Sequence, residues 1–378
     1  MEAEQRDWSS LPEDLLDEIL RRLRWSSHPS FASTCRAWRS AVPPFYRAWV
    51  TPVLLNTAHV GTTNLRFYSP YFHKNFEIDC TLDAPGAKIC CSTGHRLTVC
   101  VDHLIMDAQL HTGHIHKLPR FFVRRFHFVV RDRRKVLGLK NTLGMLEITR
   151  CIQHGDGKWG HREFWDTDSY RGFFASPVRN PVFHRGLLYV LGEDGRLAVY
   201  DERCHDKGFE ILDSPMSFGA GLDFENSYLL DSDQGELMAI LVGRHGTPVH
   251  VVKLNEQTME WDKVESLEGR TLFTGTLATM IKKTDVKWMH NKVFLPRLYE
   301  WPETIHVNLV ERGGEFAFVP KSGCVDATVK DGDHTFGAMM CSYELGQNEN
   351  ATEFWWTEKL NYSIWLDFDS ATSVLVLS

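Results

Sequence analysis

A chain of 378 residues, 43% of them hydrophobic, can bury a core in one large domain with a small one beside it. Its 42 Lys and Arg against 49 Asp and Glu leave a formal charge of −7 and a pI near 6.2, which argues against a general nucleic-acid binder, a class that carries a basic domain. No run approaches the roughly 20 apolar residues of a membrane helix, and the opening MEAEQRDWSS has no signal-peptide character. Nine scattered cysteines fit reduced thiols, so the expected location is nucleus, cytoplasm or both, without membrane or nucleic-acid partners.

Leu11, Leu15, Leu16, Ile19, Leu20 and Leu23 recur at helical spacing, with Glu13, Asp14, Asp17, Glu18, Arg21 and Arg22 filling the opposite face. This predicts an amphipathic helix. Ser9 or Ser10 is expected to cap it and Pro12 to sit in its first turn, while early acids and late arginines suit the macrodipole. Phe31, Cys35, Trp38 and Val42 continue the three- and four-residue steps from His28 to Val42, predicting two further short helices before Pro43-Pro44. The segment Trp25 to Ser30 is short and polar and leaves the start of the second helix open. So small a unit buries little by itself, and its apolar ridge is expected to find a partner.

Trp8-Ser9-Ser10-Leu11-Pro12-Glu13-Asp14-Leu15-Leu16-Asp17-Glu18-Ile19-Leu20-Arg21-Arg22-Leu23, followed by Cys35-Arg36-Ala37-Trp38-Arg39-Ser40, resembles the F-box motif over nearly its whole length. The resemblance implies a small all-α domain of three short helices, spanning residues 6–47, that docks on an SKP-type adaptor and through it on a cullin. It makes Leu11, Pro12, Leu15, Leu16, Ile19, Leu20, Leu23 and Trp38 the candidate adaptor-binding residues. The alternative is that the same stripe packs on the protein's own next domain.

From Thr51 onward the helical period gives way to short runs of Val, Ile, Leu, Phe and Tyr separated by Gly, Asp and Asn, an all-β pattern. Expected hairpins pair Leu187–Leu191 with Leu197–Tyr200 across Glu193-Asp194-Gly195, Tyr228–Leu230 with Leu237–Val242, Val249–Leu254 with Trp261–Val264, and Val293–Leu295 with Thr304–Leu309. Weak repetition, as in Met106-Asp107 to Leu118-Pro119 and Tyr200-Asp201 to Ile211-Leu212, favours a β-propeller over a sandwich or barrel. At about 40 to 50 residues per blade the length suggests six blades, with seven as the alternative. The apolar tail Val374 to Leu377 is a candidate closing strand.

The same region resembles the plant KIB-type family, also known as domain of unknown function 295. The resemblance rests on Pro181-Val182-Phe183-His184-Arg185-Gly186-Leu187-Leu188-Tyr189, on Ser227-Tyr228-Leu229-Leu230-Asp231-Ser232-Asp233-Gln234-Gly235-Glu236-Leu237, and on Val251-Val252-Lys253-Leu254, Trp261-Asp262-Lys263-Val264 and Leu272-Phe273-Thr274-Gly275. It implies a substrate-recognition propeller over residues 50–378.

Cys80, Cys90, Cys91, Cys100 and His103, with His111, His114 and His116 nearby, invite a zinc reading, but the paired spacing of structural zinc ligands is missing. Asp231 to Glu236 likewise lacks the glycine position and flanking helices of a calcium loop. With no nucleophile elbow, zincin motif or phosphate loop either, no metal, cofactor or catalytic residue is expected. The one charge anomaly is Lys117 to Lys140, where Arg124, Arg125, Arg133 and Arg134 are candidate contacts for an acidic or phosphorylated substrate, a solvated face being the alternative. The expectation is a non-catalytic substrate-recognition subunit of an SCF-type E3 ubiquitin ligase, with an unknown protein substrate. Its rivals are a non-degradative F-box protein, and a propeller module or enzyme whose N-terminal helices only pack or dimerise.

Overall fold

The computed structural model describes residues 8–56, 64–79, 87–93, 96–101, 104–117, 128–132, 135–142, 145–153, 159–165, 173–175, 181–219, 222, 224–243, 248–275, 277–300, 304–321, 336–345 and 363–369. Three short helices come first: α1 (Glu13–Arg22), α2 (His28–Ala32) and α3 (Arg36–Ala41). Pro12, not a serine, takes the N-cap of α1, with no side-chain cap, because Trp8–Ser10 already wind into a 3-10 turn of their own. Glu13 and Asp14 open the helix and Arg21 and Arg22 end it, as its dipole favours. Among the described residues no helix is long and apolar enough to cross a membrane.

The chain then enters β1 (Tyr46–Arg47), β2 (Val53–Asn56), β3 (Asn64–Ser69) and β4 (Lys74–Asp79) before building sheet after sheet of four strands. The first holds β5 (Lys88–Thr93), β6 (Arg96–Val101), β7 (Leu104–Gln109) and β8 (Ile115–Lys117), the second β9 (Phe128–Asp132), β10 (Lys135–Thr142), β11 (Met145–Gln153) and β12 (Trp159–Trp165). The third holds β13 (Val182–His184), β14 (Leu187–Leu191), β15 (Leu197–Tyr200) and β16 (Phe209–Ile211), the fourth β17 (Asn226–Asp231), β18 (Leu237–Val242), β19 (Val249–Asn255) and β20 (Glu260–Lys263). A fifth begins with β21 (Arg270–Phe273), β22 (Met280–Lys283) and β23 (Lys292–Glu300), is interrupted by the hairpin β24 (Thr304–Arg312) and β25 (Glu315–Pro320), and is completed by β26 (Phe336–Glu344).

The fold is therefore short helices followed by a β-propeller, but among the described residues there are five four-stranded blades in place of the expected six or seven. The remaining strands, β1 to β4, β24, β25 and β27 (Ser363–Leu366), gather into one larger sheet, and the interrupting hairpin contributes to it. That hairpin leaves the fifth blade, and β24 pairs in parallel with β4 from Thr304↔Asn75 to His306↔Glu77, so these residues enlarge the chain-closing sheet. That sheet has seven strands in the order β1-β25-β24-β4-β3-β2-β27, where β27 runs antiparallel to β2 and joins the two ends of the propeller. The candidate closing strand Val374 to Leu377 lies outside the described residues.

Three expected hairpins form, with Tyr189↔Val199, Tyr228↔Ile240 and Leu254↔Trp261 as partners. The fourth does not: β23 pairs with β21 in parallel and with β26 antiparallel, whereas β24 pairs with β25 and β4. Strand periodicity explains how blades adhere. All six residues of β18 are buried; Leu237, Ala239 and Leu241 pack toward β14 and β15, and Met238, Ile240 and Val242 toward β21 and β23. Trp365 of β27 is fully buried and donates its indole N–H to the Thr274 carbonyl at 2.7 Å, and Lys282 holds Asp367 at 2.8 Å and Asp369 at 3.1 Å.

Candidate functional site

The apolar stripe of α1 is divided by its packing. Leu16 and Leu20, 3% and 2% exposed, form a small core with Phe31, and Leu11, Ile19, Leu23 and Trp38 pack partly buried against it. The Trp38 ring lies 4.5 Å from Phe31, and its Nε1 donates to the Trp8 carbonyl at 2.9 Å. Six of the eight candidate residues thus hold the three helices together. Pro12 and Leu15, one turn apart, remain exposed, Leu15 at 48%, and so does Trp8 at 58%. In sequence Trp8 marks only the start of the motif, and an indole just ahead of a leucine-proline step is the signal it offers.

The segment read as a polar spacer is what fixes the helices to the propeller. Trp25, fully buried in the 3-10 turn Trp25–Ser27, donates its Nε1–H to the Val310 carbonyl at 3.1 Å. The Arg312 guanidinium lies 4.0 Å from its ring centroid, a cation–π arrangement. The same guanidinium donates to the Leu20 carbonyl at the end of α1 at 3.1 Å and to His28 Nε2 at 3.3 Å. Ser26 donates from its backbone N–H and its hydroxyl to the Glu315 carboxylate at 2.8 and 2.7 Å. The tight turn at Gly313, φ +58°, brings the hairpin so close that a Cβ there would meet Arg24 Cγ at 2.7 Å. Finally β1 adds to β25 through Tyr46↔Phe318 and Arg47↔Ala317.

The electrostatics of this mount are those of a partly buried site. Burial pulls the Arg312 guanidinium below its usual value, with Arg21 adding to the shift and Asp17 opposing it. Burial, and then the neighbouring Arg312 charge, lower His28 below 6.5 against the opposing effects of the Leu20 carbonyl and Glu315.

The other candidates stand apart from this module. Arg124, Arg125, Arg133 and Arg134 lie outside the described residues, as do Cys80 and His103. Of the remaining cations of that run, Lys135 pairs with Glu202 and Lys140 with Glu147. Cys90 falls at a register shift between Ile89 and Cys91 in the pairing of β5 with β6, and a hydrogen bond with Cys100, then burial, push its thiol well above its usual value. His111 sits 3.3 Å from Glu311 and edge-on to Phe316, while His114 and His116 are exposed. Among the described residues no group of three or more His, Cys, Asp or Glu is arranged to hold a metal.

A family model of the F-box domain matches residues 8–45, and a family model of the KIB1-4 beta-propeller matches residues 67–337. None of the curated proteins compared with the chain matches it. Among solved structures, TolB from Acinetobacter baumannii is similar at 10% identity over 76% of this chain and 67% of that one, with a TM-score of 0.36. A luciferin-regenerating enzyme is similar at 12% identity over 60% and 81%, TM-score 0.29, and apo AztD from Citrobacter koseri at 12% over 53% and 56%, TM-score 0.30.

Proposed function

The chain belongs to the KIB1-4 β-propeller family and carries an F-box domain ahead of the propeller, and we propose on that premise that it is the substrate-recognition subunit of an SCF-type E3 ubiquitin ligase. The F-box engages an SKP-type adaptor and through it a cullin, while the propeller holds a target protein. The contribution is proximity: bringing target lysines and a charged conjugating enzyme into one complex raises their effective concentration, with no covalent chemistry by this chain. On this reading the protein works in the nucleus, the cytoplasm or both.

The observation that carries the reading is the division of the helical module. Its core side chains pack inward and Trp25 reaches the hairpin, whereas Trp8, Pro12 and Leu15 stay exposed. An apolar surface of this kind, uncovered among the described residues, suits a partner protein.

Co-purification of the full chain with the adaptor tests it. Leu15→Asp should abolish adaptor binding while circular dichroism and the thermal midpoint stay unchanged, because Leu15 contributes little to the core. Leu16→Asp buries a charge and should unfold the helices, which is why it cannot serve as the test. Adaptor retained by a folded Leu15→Asp protein would overturn the reading.

A further inference from the structure

A bulge in the first blade gathers thiols. β5 and β6 pair with Lys88 opposite Cys100 and Ile89 opposite Val99, and then with Cys91 opposite Thr98, so Cys90 is an extra residue that the ladder does not match. Such a residue bends its strand and leaves the backbone there less firmly held than in a regular ladder. Ile89, Leu97 and Val99 turn to the core shared with the closing sheet, and strand alternation places Cys100, next to Val99, on the opposite face. The Cys90 side chain reaches that face, because it hydrogen-bonds across the strands to the side chain of Cys100. Cys90, Cys91 and Cys100 are all half-buried.

The two bonded sulfurs are unlike. That hydrogen bond is the first cause raising the Cys90 thiol, burial the second, and the neighbouring Cys91 and Cys100 add to it against the opposing backbone of Cys100. A hydrogen bond that raises a thiol is one the thiol donates, so Cys90 keeps its hydrogen and the Cys100 sulfur accepts it. Cys100 is therefore placed to attack an oxidant first and Cys90 to resolve the product. The site also lies beside the closure of the propeller. Two residues beyond Cys90, the Ser92 hydroxyl donates to the Trp365 carbonyl of β27 at 3.2 Å, so a covalent tie at the bulge restrains the strand against which the end of the chain rests.

We propose that Cys90 and Cys100 form a peroxide-responsive dithiol that closes a reversible cross-strand disulfide and tightens the seam between the first blade and the closing strand. The Cys100 thiolate attacks one oxygen of hydrogen peroxide, the O–O bond breaks, and the departing hydroxide takes up a proton to leave as water. The Cys90 sulfur then attacks the sulfenic acid on Cys100; the S–S bond forms, the S–O bond breaks, and that hydroxyl leaves with the Cys90 proton as a second water. Two thiols are thereby oxidised by two electrons and one peroxide is reduced to two waters. Two molecules of a small thiol reverse the step by exchange and become a disulfide themselves. The chemistry requires neither adaptor nor target and so is independent of the ligase reading.

The test uses the full chain, with hydrogen peroxide as probe. Treated protein, alkylated and digested, should yield by mass spectrometry a linked Cys90–Cys100 pair at peroxide levels that leave the exposed Cys204 reduced. Cleavage after Arg96 puts the two cysteines on separate peptides, and fragmentation tells Cys90 from Cys91. The linked pair should vanish on reduction and be absent from Cys100→Ser. The urea midpoint of the oxidised chain should rise and return with a thiol reductant, a shift that Cys100→Ser does not show. Absence of the link in the wild type, which carries no substitution that could unfold it, would overturn the proposal, as would a bond from either sulfur to another cysteine or oxidation of Cys204 ahead of the pair. A linked pair with an unmoved or lowered midpoint would remove the tightening of the seam.

Discussion

His28 shows what one proton does in a buried junction. Arg312 can only donate, so His28 Nε2, 3.3 Å from Nη1, accepts and the imidazole hydrogen sits on Nδ1. A second proton would set a cation against the guanidinium in a site shielded from water, which is why burial and then Arg312 lower the pKa below 6.5. The unfolded chain takes up that proton near 6.5 whereas the folded chain resists it to lower pH, so between the two values the unfolded state binds more protons. Stability from this residue is complete above 6.5 and is lost as pH falls through the folded value. The urea midpoint of the full chain should therefore drop as pH falls below 6.5, and His28→Gln, which can still accept from Arg312, should flatten part of that slope. Comparison with the variant is needed because burial and Lys263 also lower His250. An unchanged slope in His28→Gln would show that the junction does not sense the proton. None of this was legible in Trp25-Ser26-Ser27-His28-Pro29, which has no periodicity of its own; the acceptor of the Trp25 indole lies 285 positions away.

The hairpin β24–β25 is the element on which the helices depend. Its tip supplies Val310, Arg312, Gly313 and Glu315 to the Trp25–His28 segment, and its outer strand accepts β1. The Ser26–Glu315 contacts are exposed and contribute little, so among the side chains of that segment the buried indole contributes most. Trp25→Ala should cost about 3 to 5 kcal/mol by leaving a cavity under Arg312. Limited proteolysis should then cut between α3 and β2 at rates at which the wild type stays intact, and an uncut Trp25→Ala chain would place the attachment elsewhere. The helices themselves were legible because a 3.6-residue period writes their buried face into nearby residues such as Leu16 and Leu20. The same local logic identified the blade hairpins of β14 with β15 and β17 with β18, and failed at β23 and β24. Local pattern pairs adjacent strand-like runs, but β24 instead joins β4, a pairing across more than 220 residues that no local pattern reports.

At the scale of the molecule, the seven strands gathered into the closing sheet, that hairpin among them, are why blade number could not be obtained by dividing length by blade size. Seventeen residues, 304–320, serve the closing sheet and the helical mount rather than a blade. The same sheet makes the ends of the propeller and the attachment of the helices one hydrogen-bonded unit, running from β1 through β25, β24, β4, β3 and β2 to β27. Closure then matters beyond stability. Trp365, buried between β27 and the fifth blade with its N–H on Thr274, and the Lys282 pairs with Asp367 and Asp369 pin the last strand of this unit. Trp365→Ala should lower global stability by about 3 to 5 kcal/mol. If the sheet transmits strain as one body, hydrogen exchange should also accelerate at the amides of β25 and Ser26, on the far side of the sheet from the substitution. Acceleration confined to β27 and β2 would mean that closure and mount open independently, and that the propeller can loosen without moving the helices that orient it.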